Sequence, residues 1–371
     1  MTSYRIADLA VEEAIERHFH IVDGYIELSL PTFVVVPRGD GGETWLLKDG
    51  FKWLVEELRP LGYIPRLRRA DGRYLISVVN RPPSRPPRHA LNILLLAATA
   101  GTIFVDGFLR SNNPVLTSVL MPGTPVFVNA LLFTLAILSI FGLHELGHKA
   151  AALFRGAEAS MPYFIPAPPG MGGTFGAVII QKEPPTNRDA LFDLGFSGPV
   201  VGFLVTIIVS VVGLRLSFLA SAGEVAAWAT MFPNIQFQTI PFPLLVKAIA
   251  SAVRPASGEM VIILHPIGFA AWVGCIVTFI NLIPSWQLDG GHISRALLGK
   301  KHHRTLSVAG IAMMLFSGFY IMAIMLAFLM MRSGVESGAP LDDLSPLSPS
   351  RKALFLVYLA MIVLTMVAFP L

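Results

Sequence analysis

Five residues, His144-Glu145-Leu146-Gly147-His148, have the types and the spacing to do chemistry. Histidines four apart lie one turn apart on a single helical face, so both imidazoles reach one metal ion. The glutamate between them is placed to take a proton from a water at that ion. H-E-x-x-H on a helix is a zinc-binding pattern that carries its own general base. Here it ends an apolar run, PVFVNALLFTLAILSIFGL, that starts at Pro125 and is long enough to cross a bilayer. Ionisable side chains are costly at that depth, and three within five positions need a partner. A water-using metal site in such a run suggests proteolysis inside the membrane.

A hydrolytic zinc site takes three protein ligands and keeps a fourth position open. The best third ligand is Asp289, in Asn281-Leu282-Ile283-Pro284-Ser285-Trp286-Gln287-Leu288-Asp289-Gly290-Gly291-His292. Pro284 ends the preceding apolar helix, and Gly290-Gly291 lets the chain turn so that Asp289 points back. Read alone, D-G-G is equally a plain loop after a helix. Asn281, embedded in VTFINLIP, is a bare amide in a membrane helix, suited to a substrate carbonyl or a developing oxyanion. His292, and His302 and His303 in LLGKKHHR, read as solvent or headgroup contacts, because neighbouring Lys and Arg disfavour a cation site. His18, His20, His89 and His265 lack ligand spacing, and Asp342 and Asp343 read as a solvated loop.

These residues need elements to hold them. Of 371 residues, 54% are hydrophobic and 14% charged, with a formal net charge of +4. Soluble domains carry about 25% charged residues, so the expected class is an α-helical polytopic membrane protein. So small a charge gives no reason to expect a nucleic acid partner. The single cysteine, Cys275, excludes a disulfide framework and a cysteine-rich zinc site. The first 24 residues carry Arg5, Asp8, Glu12, Glu13, Glu16 and Arg17 and do not read as a signal peptide.

Residues 1–80 read as a small soluble α/β domain: an amphipathic start, strand-like YIELSL and TFVVVP, a helix in ETWLLKDGFKWLVEELRPLG, and strands YIPRLRR and RYLISVV about an Asp-Gly turn. A Pro/Arg linker occupies 81–88. Residues 89–371 carry about six expected transmembrane helices, near 90–109, 126–152, 196–219, 260–283, 305–331 and 353–370. MPYFIPAPPGMGGTFGAVIIQ is apolar but too rich in Pro and Gly for a spanning helix, and reads as a re-entrant hairpin. Residues 224–256 look interfacial. Eleven Lys and Arg near span ends on the side of the N-terminal domain face seven on the other, if Arg351 and Lys352 are counted with the seven. That bias favours a cytoplasmic N-terminal domain and C-terminus in a cell membrane.

The paired motifs resemble those of the site-2 protease family, intramembrane zinc metalloproteases of the M50 class. The family pattern, H-E-x-x-H with a distant N-x-x-P-x-x-x-L-D-G, is matched in full. Gly195-Phe196-Ser197-Gly198-Pro199-Val200-Val201-Gly202 resembles the family's small-residue segment, where helix backbones approach closely. Gly172-Gly173-Thr174-Phe175-Gly176 resembles a stretch placed near the active site, expected to offer an edge strand to an unwound substrate. With the N-terminal domain and NRDALFDLGFSGP, the chain is most similar to archaeal and plastid-type members. The resemblance covers a core of about 126–300. It implies one Zn2+ per chain held by His144, His148 and Asp289, with Glu145 as general base and Asn281 assisting substrate or oxyanion. It also implies a membrane-protein substrate cut within or near its transmembrane segment, as in regulated intramembrane proteolysis. Residues 220–259 are too few for the PDZ domain of many bacterial members, which leaves substrate selection to the N-terminal domain. A metal-ion transporter would also need ligands in a membrane, but Glu145 sits inside the histidine motif and the spans hold no further carboxylate or histidine relay. A catalytically silent scaffold fits poorly with an intact Glu145 and three ligands. The natural substrate, cleavage position and oligomeric state are not legible.

Overall fold

Residues 9–38, 43–81, 83, 86, 88–170, 172–255, 260–333 and 338–367 are described by the structure, a computed structural model. The N-terminal unit runs α1 (Leu9–His18), β1 (Phe19–Glu27), β2 (Leu30–Pro37), α2 (Glu43–Leu58), β3 (Tyr63–Ala70) and β4 (Arg73–Asn80). Its four strands form one antiparallel sheet in the order β1-β2-β4-β3. Both hairpins turn on two residues of positive φ, Leu28-Ser29 (49° and 66°) and Asp71-Gly72 (50° and 79°). Two such residues match the twist of the paired strands. Asp-Gly favours that backbone, whereas Leu-Ser adopts it because strand pairing on both sides demands it. Val11, Ile15, Phe51, Leu54 and Leu58 of the helices bury against Phe33, Val35, Ile76 and Val78 of the sheet. Leu341, from the far end of the chain, completes this core.

The rest is mainly helical: α3 (His89–Ser111), a π-helical turn (Leu116–Leu120), α4 (Val126–Phe154), the hairpin β5 (Tyr163–Pro166) and β6 (Thr174–Val178), α5 (Arg188–Leu216), β7 (Phe218–Ser221), α6 (Ala222–Met231), α7 (Leu244–Val253), β8 (Met260–Ile263), α8 (Pro266–Leu282), α9 (Asp289–Phe316), α10 (Tyr320–Ser333) and α11 (Pro349–Thr365). Three of these, α3, α4 and α5, are long and apolar enough to cross a membrane. With 29 residues each, α4 and α5 reach roughly 44 Å, beyond the hydrocarbon thickness of about 30 Å. Phe133, Ile137 and Ile140 of α4 pack with Val209 of α5 and Ile267 and Ala270 of α8, so α5 and α8 brace the metal-motif helix.

The other expected spans differ. The stretch 260–283 divides into β8, paired with β7, and the 17-residue α8, whose first turn is capped by the His265 side chain accepting from the Ile267 N–H. The stretch 305–331 is not one helix. It breaks at Ser317-Gly318, where Gly318 has φ +85°, and divides between α9 and α10. α9 itself bends at Gly299, with φ +73°. The expected interfacial stretch holds α6 and α7, flanked by the β7–β8 pair that sequence reading missed.

The N-terminal unit docks on the helices. Lys48 Nζ pairs with Asp189 Oδ2 at 2.9 Å and donates to Pro346 O and Ser348 Oγ at 3.0 Å each. Arg59 Nε pairs with Glu183 Oε2 at 3.1 Å, and Arg81 also pairs with Glu183. Of the expected linker 81–88, Pro82, Ser84, Arg85 and Pro87 lie outside the described residues. Residues 338–348 tie both parts together: the Leu67 N–H of β3 donates to Leu341 O (2.9 Å), and the Leu341 and Asp342 N–H groups donate to Pro185 O (2.8 Å) and Thr186 O (2.9 Å).

Asp342 and Asp343 are therefore not a solvated loop. Asp342 is fully buried, and its Oδ1 accepts the Leu344 and Ser345 N–H groups at 2.9 Å each. Burial pushes its carboxyl above the usual carboxylate range. Asp343 is clasped by Arg188 Nε (3.1 Å) and Arg295 Nη2 (2.9 Å). The same strap brings Arg351 to Asp193 (2.8 Å) at the start of α5, so Arg351 joins the side that carries Arg155 and Arg188. A Pro/Ser-rich composition signals exposure, but here long-range docking overrides it.

Candidate metal centre

The last turns of α4 present His144, Glu145 and His148, all buried, with candidate ligand atoms within 4.8 Å of one another. The small face of α5 makes this possible. A Cβ on Gly198 would overlap the His148 ring, and one on Gly202 would lie 3.0 Å from His144 Nδ1. The glycines of the small-residue segment thus leave room for the two imidazoles. His148 Nδ1 stands 2.8 Å from Leu194 O. A carbonyl only accepts, so Nδ1 carries the proton and Nε2 turns its lone pair inward.

Asp289 arrives from the other motif as the first residue of α9. α8 stops at Leu282, and the connecting loop is pinned from two directions. The Ser285 hydroxyl donates to Ser307 O (3.1 Å), and the Trp286 N–H donates to Ser307 Oγ (2.9 Å). Trp286 takes φ +42°, a turn that the pinned ends impose. The Asp289 carboxylate then reaches both histidines, Oδ2 to His144 Nε2 at 3.2 Å and Oδ1 to His148 Nε2 at 3.3 Å. The two Nε2 atoms stand 3.0 Å apart. Asn281 Nδ2, on the last turn of α8, lies 3.5 Å from His144 Nε2.

The donor set fits a tetrahedral ion. Ligand atoms about 2.0–2.1 Å from a zinc stand about 3.3 Å from one another, close to the 3.0, 3.2 and 3.3 Å found here. Two imidazole lone pairs and a carboxylate facing one point in a buried site repel one another unless a cation lies among them. Nitrogen and oxygen donors in that number suit zinc.

The centre opens on a cavity of about 1260 Å3, lined by both motifs, by Ala177 and Val178 at the end of β6 and Ile179 just beyond it, and by Gln287 and His292. Of the GGTFG stretch, Gly172 and Gly173 lie at the hairpin turn, where the Gly173 carbonyl accepts from Thr102 Oγ1 of α3 at 2.7 Å. Thr174, Phe175 and Gly176 form the first part of β6. The cavity wall falls one to three residues beyond the expected segment.

Two histidine readings need correction. His292 is half-buried on the cavity wall. His303 is 2% exposed, and its own carbonyl accepts from Ser307 Oγ at 2.8 Å. It shares a helical face with the buried Ser307 and Gly310, a spacing that was visible in the sequence. His302 is exposed, as expected. Sequence reading also missed Arg66, Leu67 and Arg68 of β3, which line the same cavity from the N-terminal unit. No local signal connects that strand to a metal site.

The chain is 27% identical over 280 residues to a probable zinc metalloprotease EGY2, chloroplastic, of Arabidopsis thaliana, covering 74% of this chain and 48% of that protein. It is 29% identical over 248 residues to a probable zinc metalloprotease EGY1, chloroplastic, of the same plant, covering 65% and 43%. With the corresponding EGY1 protein of Oryza sativa subsp. japonica it shares 32% identity over 176 residues, covering 47% and 29%. The chain spans about half the length, or less, of these relatives. No solved structure matches. The family model for peptidase family M50 matches residues 132–325. That stretch is more than half of the chain and encloses His144, Glu145, His148, Asn281 and Asp289 together, so the chain belongs to peptidase family M50.

Proposed function

We propose that this protein is an intramembrane zinc metalloprotease that hydrolyses a peptide bond within or near a transmembrane segment of a membrane-protein substrate. One observation carries the reading: His144, His148 and Asp289 converge at 3.0–3.3 Å beside Glu145, at the end of a helix long and apolar enough to cross a bilayer. His144, His148 and Asp289 are the proposed zinc ligands, one ion per chain. An ion held there would supply Lewis acidity to the scissile carbonyl and would lower the pKa of a bound water toward about 7.

Glu145 accepts the proton of the attacking water and returns it to the leaving amine. Asn281 donates its amide N–H to the carbonyl oxygen as charge develops there. The wall at Ala177–Ile179 is the end of β6 and the residue after it, and among the described residues β6 pairs with β5 alone. We assign its other edge, with the GGTFG stretch behind it, to holding an unwound substrate by main-chain hydrogen bonds. Helical substrates hide their peptide bonds, so local unwinding precedes cleavage. Ala177→Pro removes one donor and is expected to impair cleavage while leaving zinc content unchanged. Normal kinetics in that variant would remove the strand from the account.

Six membrane passages, a cytoplasmic N-terminal domain and a role for that domain in substrate selection belong to the same proposal. The plant relatives' chloroplast address is theirs. The test is cleavage of a transmembrane substrate by detergent-purified protein before and after chelation, with zinc added back. Full activity after verified metal removal would contradict the reading.

A further inference from the structure

The mouth of the active-site cavity has an uneven charge that the chemistry does not use. Beyond the metal-site residues, its described lining holds five cations, Arg66, Arg68, Lys182, Arg295 and Lys300, against two carboxylates, Glu183 and Asp343, with Lys182 paired to Glu158 (2.8 Å) outside the lining. Both carboxylates are already outnumbered. Glu183 faces Arg59 and Arg81, and Asp343 faces Arg188 and Arg295. Arg66 and Arg68 alternate on β3 with Leu67, which is buried in the core of the N-terminal unit. Side chains on a strand alternate faces, so both arginines project from the face opposite that core. Arg68 meets Glu27 at an exposed position, a contact of little energy. Arg66 is exposed and, among the described residues, has no ion-pair partner.

We infer that this basic mouth selects substrates whose segment flanking the cleaved span is acidic, with Arg66 as a specificity-determining residue. The inference rests on the protease reading. Membrane proteins carry an excess of Lys and Arg on the cytoplasmic side of their spans. A basic mouth on that side repels the common flank and admits the uncommon one, discriminating by exclusion as much as by attraction. Low-dielectric walls around the mouth focus that field. The occupant is thus a polypeptide segment rich in Asp and Glu, threaded past β3 toward the metal centre.

The test uses three substrates that share one transmembrane segment and differ only in the flank on the N-terminal-domain side, made acidic, neutral or basic. Initial cleavage rates are measured with full-length protein in phosphatidylcholine proteoliposomes. The acidic flank is expected to be cut at least about tenfold faster than the basic one. Salt of about 0.5 M should shrink that ratio, because the screening length falls to a few Å. Arg66→Glu should lower the acidic rate and raise the basic one, and Arg66→Gln should do the same more weakly.

In parallel, a fluorescein-labelled acidic flank peptide is titrated onto the Glu145→Gln protein, where it should bind more tightly than its basic counterpart. Equal rates for all three flanks would overturn the inference and leave the protease reading standing. Absence of any cleavage would count against the protease reading, and the peptide titration would then decide the charge preference alone. If anionic phosphatidylglycerol in the vesicles abolished the preference, the mouth would be a headgroup site and the inference would fail.

Discussion

Gly198 is the position where the smallest change should do the most damage. A Cβ there would overlap the His148 ring, and ordinary contact between carbon atoms needs about 3.5–4 Å. The ring must therefore move by more than about 1 Å, or α5 must withdraw from α4. A metal site tolerates about 0.2 Å in its ligand distances, so either response breaks the coordination. Overpacking a well-filled interior costs about 1–3 kcal/mol. If that strain falls on the metal-bound geometry, zinc affinity drops by about 5–150-fold. Gly202→Ala, whose Cβ would lie 3.0 Å from His144 Nδ1, should lose less. Gly101→Ala on α3 meets nothing within 4 Å and serves as the control. The assay is a chelator-competition titration of zinc on the three purified variants, with cleavage measured alongside. Wild-type zinc affinity and wild-type cleavage in Gly198→Ala would refute the claim that this glycine makes room for the ligand.

Asn281→Ala should cut cleavage by about 100–1000-fold with zinc content unchanged, the loss expected of one oxyanion donor; loss of zinc instead would make Asn281 a structural support of His144. Leu341→Asp should loosen the N-terminal unit, since burying a leucine contributes about 1.5–3 kcal/mol and the new charge adds to the loss; unchanged protease sensitivity of 338–348 would argue against the strap as the fastening. Asp342→Asn should stabilise the fold above the carboxylate range. The folded carboxyl sits above its unfolded pKa, so the wild type loses stability as pH rises through that window, and the amide does not titrate. Thermal melts at several pH values check this, and the gain should vanish at acid pH.

The side-chain cluster of the candidate metal centre was legible because its signal is local. Two histidines one turn apart, a glutamate between them and an aspartate behind a helix-breaking proline announce themselves in single stretches of chain. The N-terminal helices and β2, β3 and β4 were legible for the same reason, through periodicity and the Asp-Gly turn; β1 was not, because the strand read at YIELSL runs through the turn at Leu28-Ser29 while the paired strand is Phe19–Glu27. What escaped depends on contacts between distant segments. Nothing around Leu341 signals that it completes the core of residues 9–80, or that Asp342 and Asp343 are held by neighbours across the fold. Arg66 and Arg68 look like the exposed face of a solvated strand until docking puts them on the cavity wall. The stretch 305–331 is mostly apolar, so hydropathy read one span; the break falls at Ser317-Gly318, a turn signal that a hydropathy window averages away.

If Glu145 moves the proton while the histidines and Asp289 hold the metal, one substitution separates the two roles. Zinc content and cleavage of a transmembrane substrate are measured on the same preparation of Glu145→Gln protein. The amide cannot accept the water proton, so zinc should stay near one per chain while cleavage falls to background. Cleavage at the normal rate by the zinc-loaded variant would contradict the account.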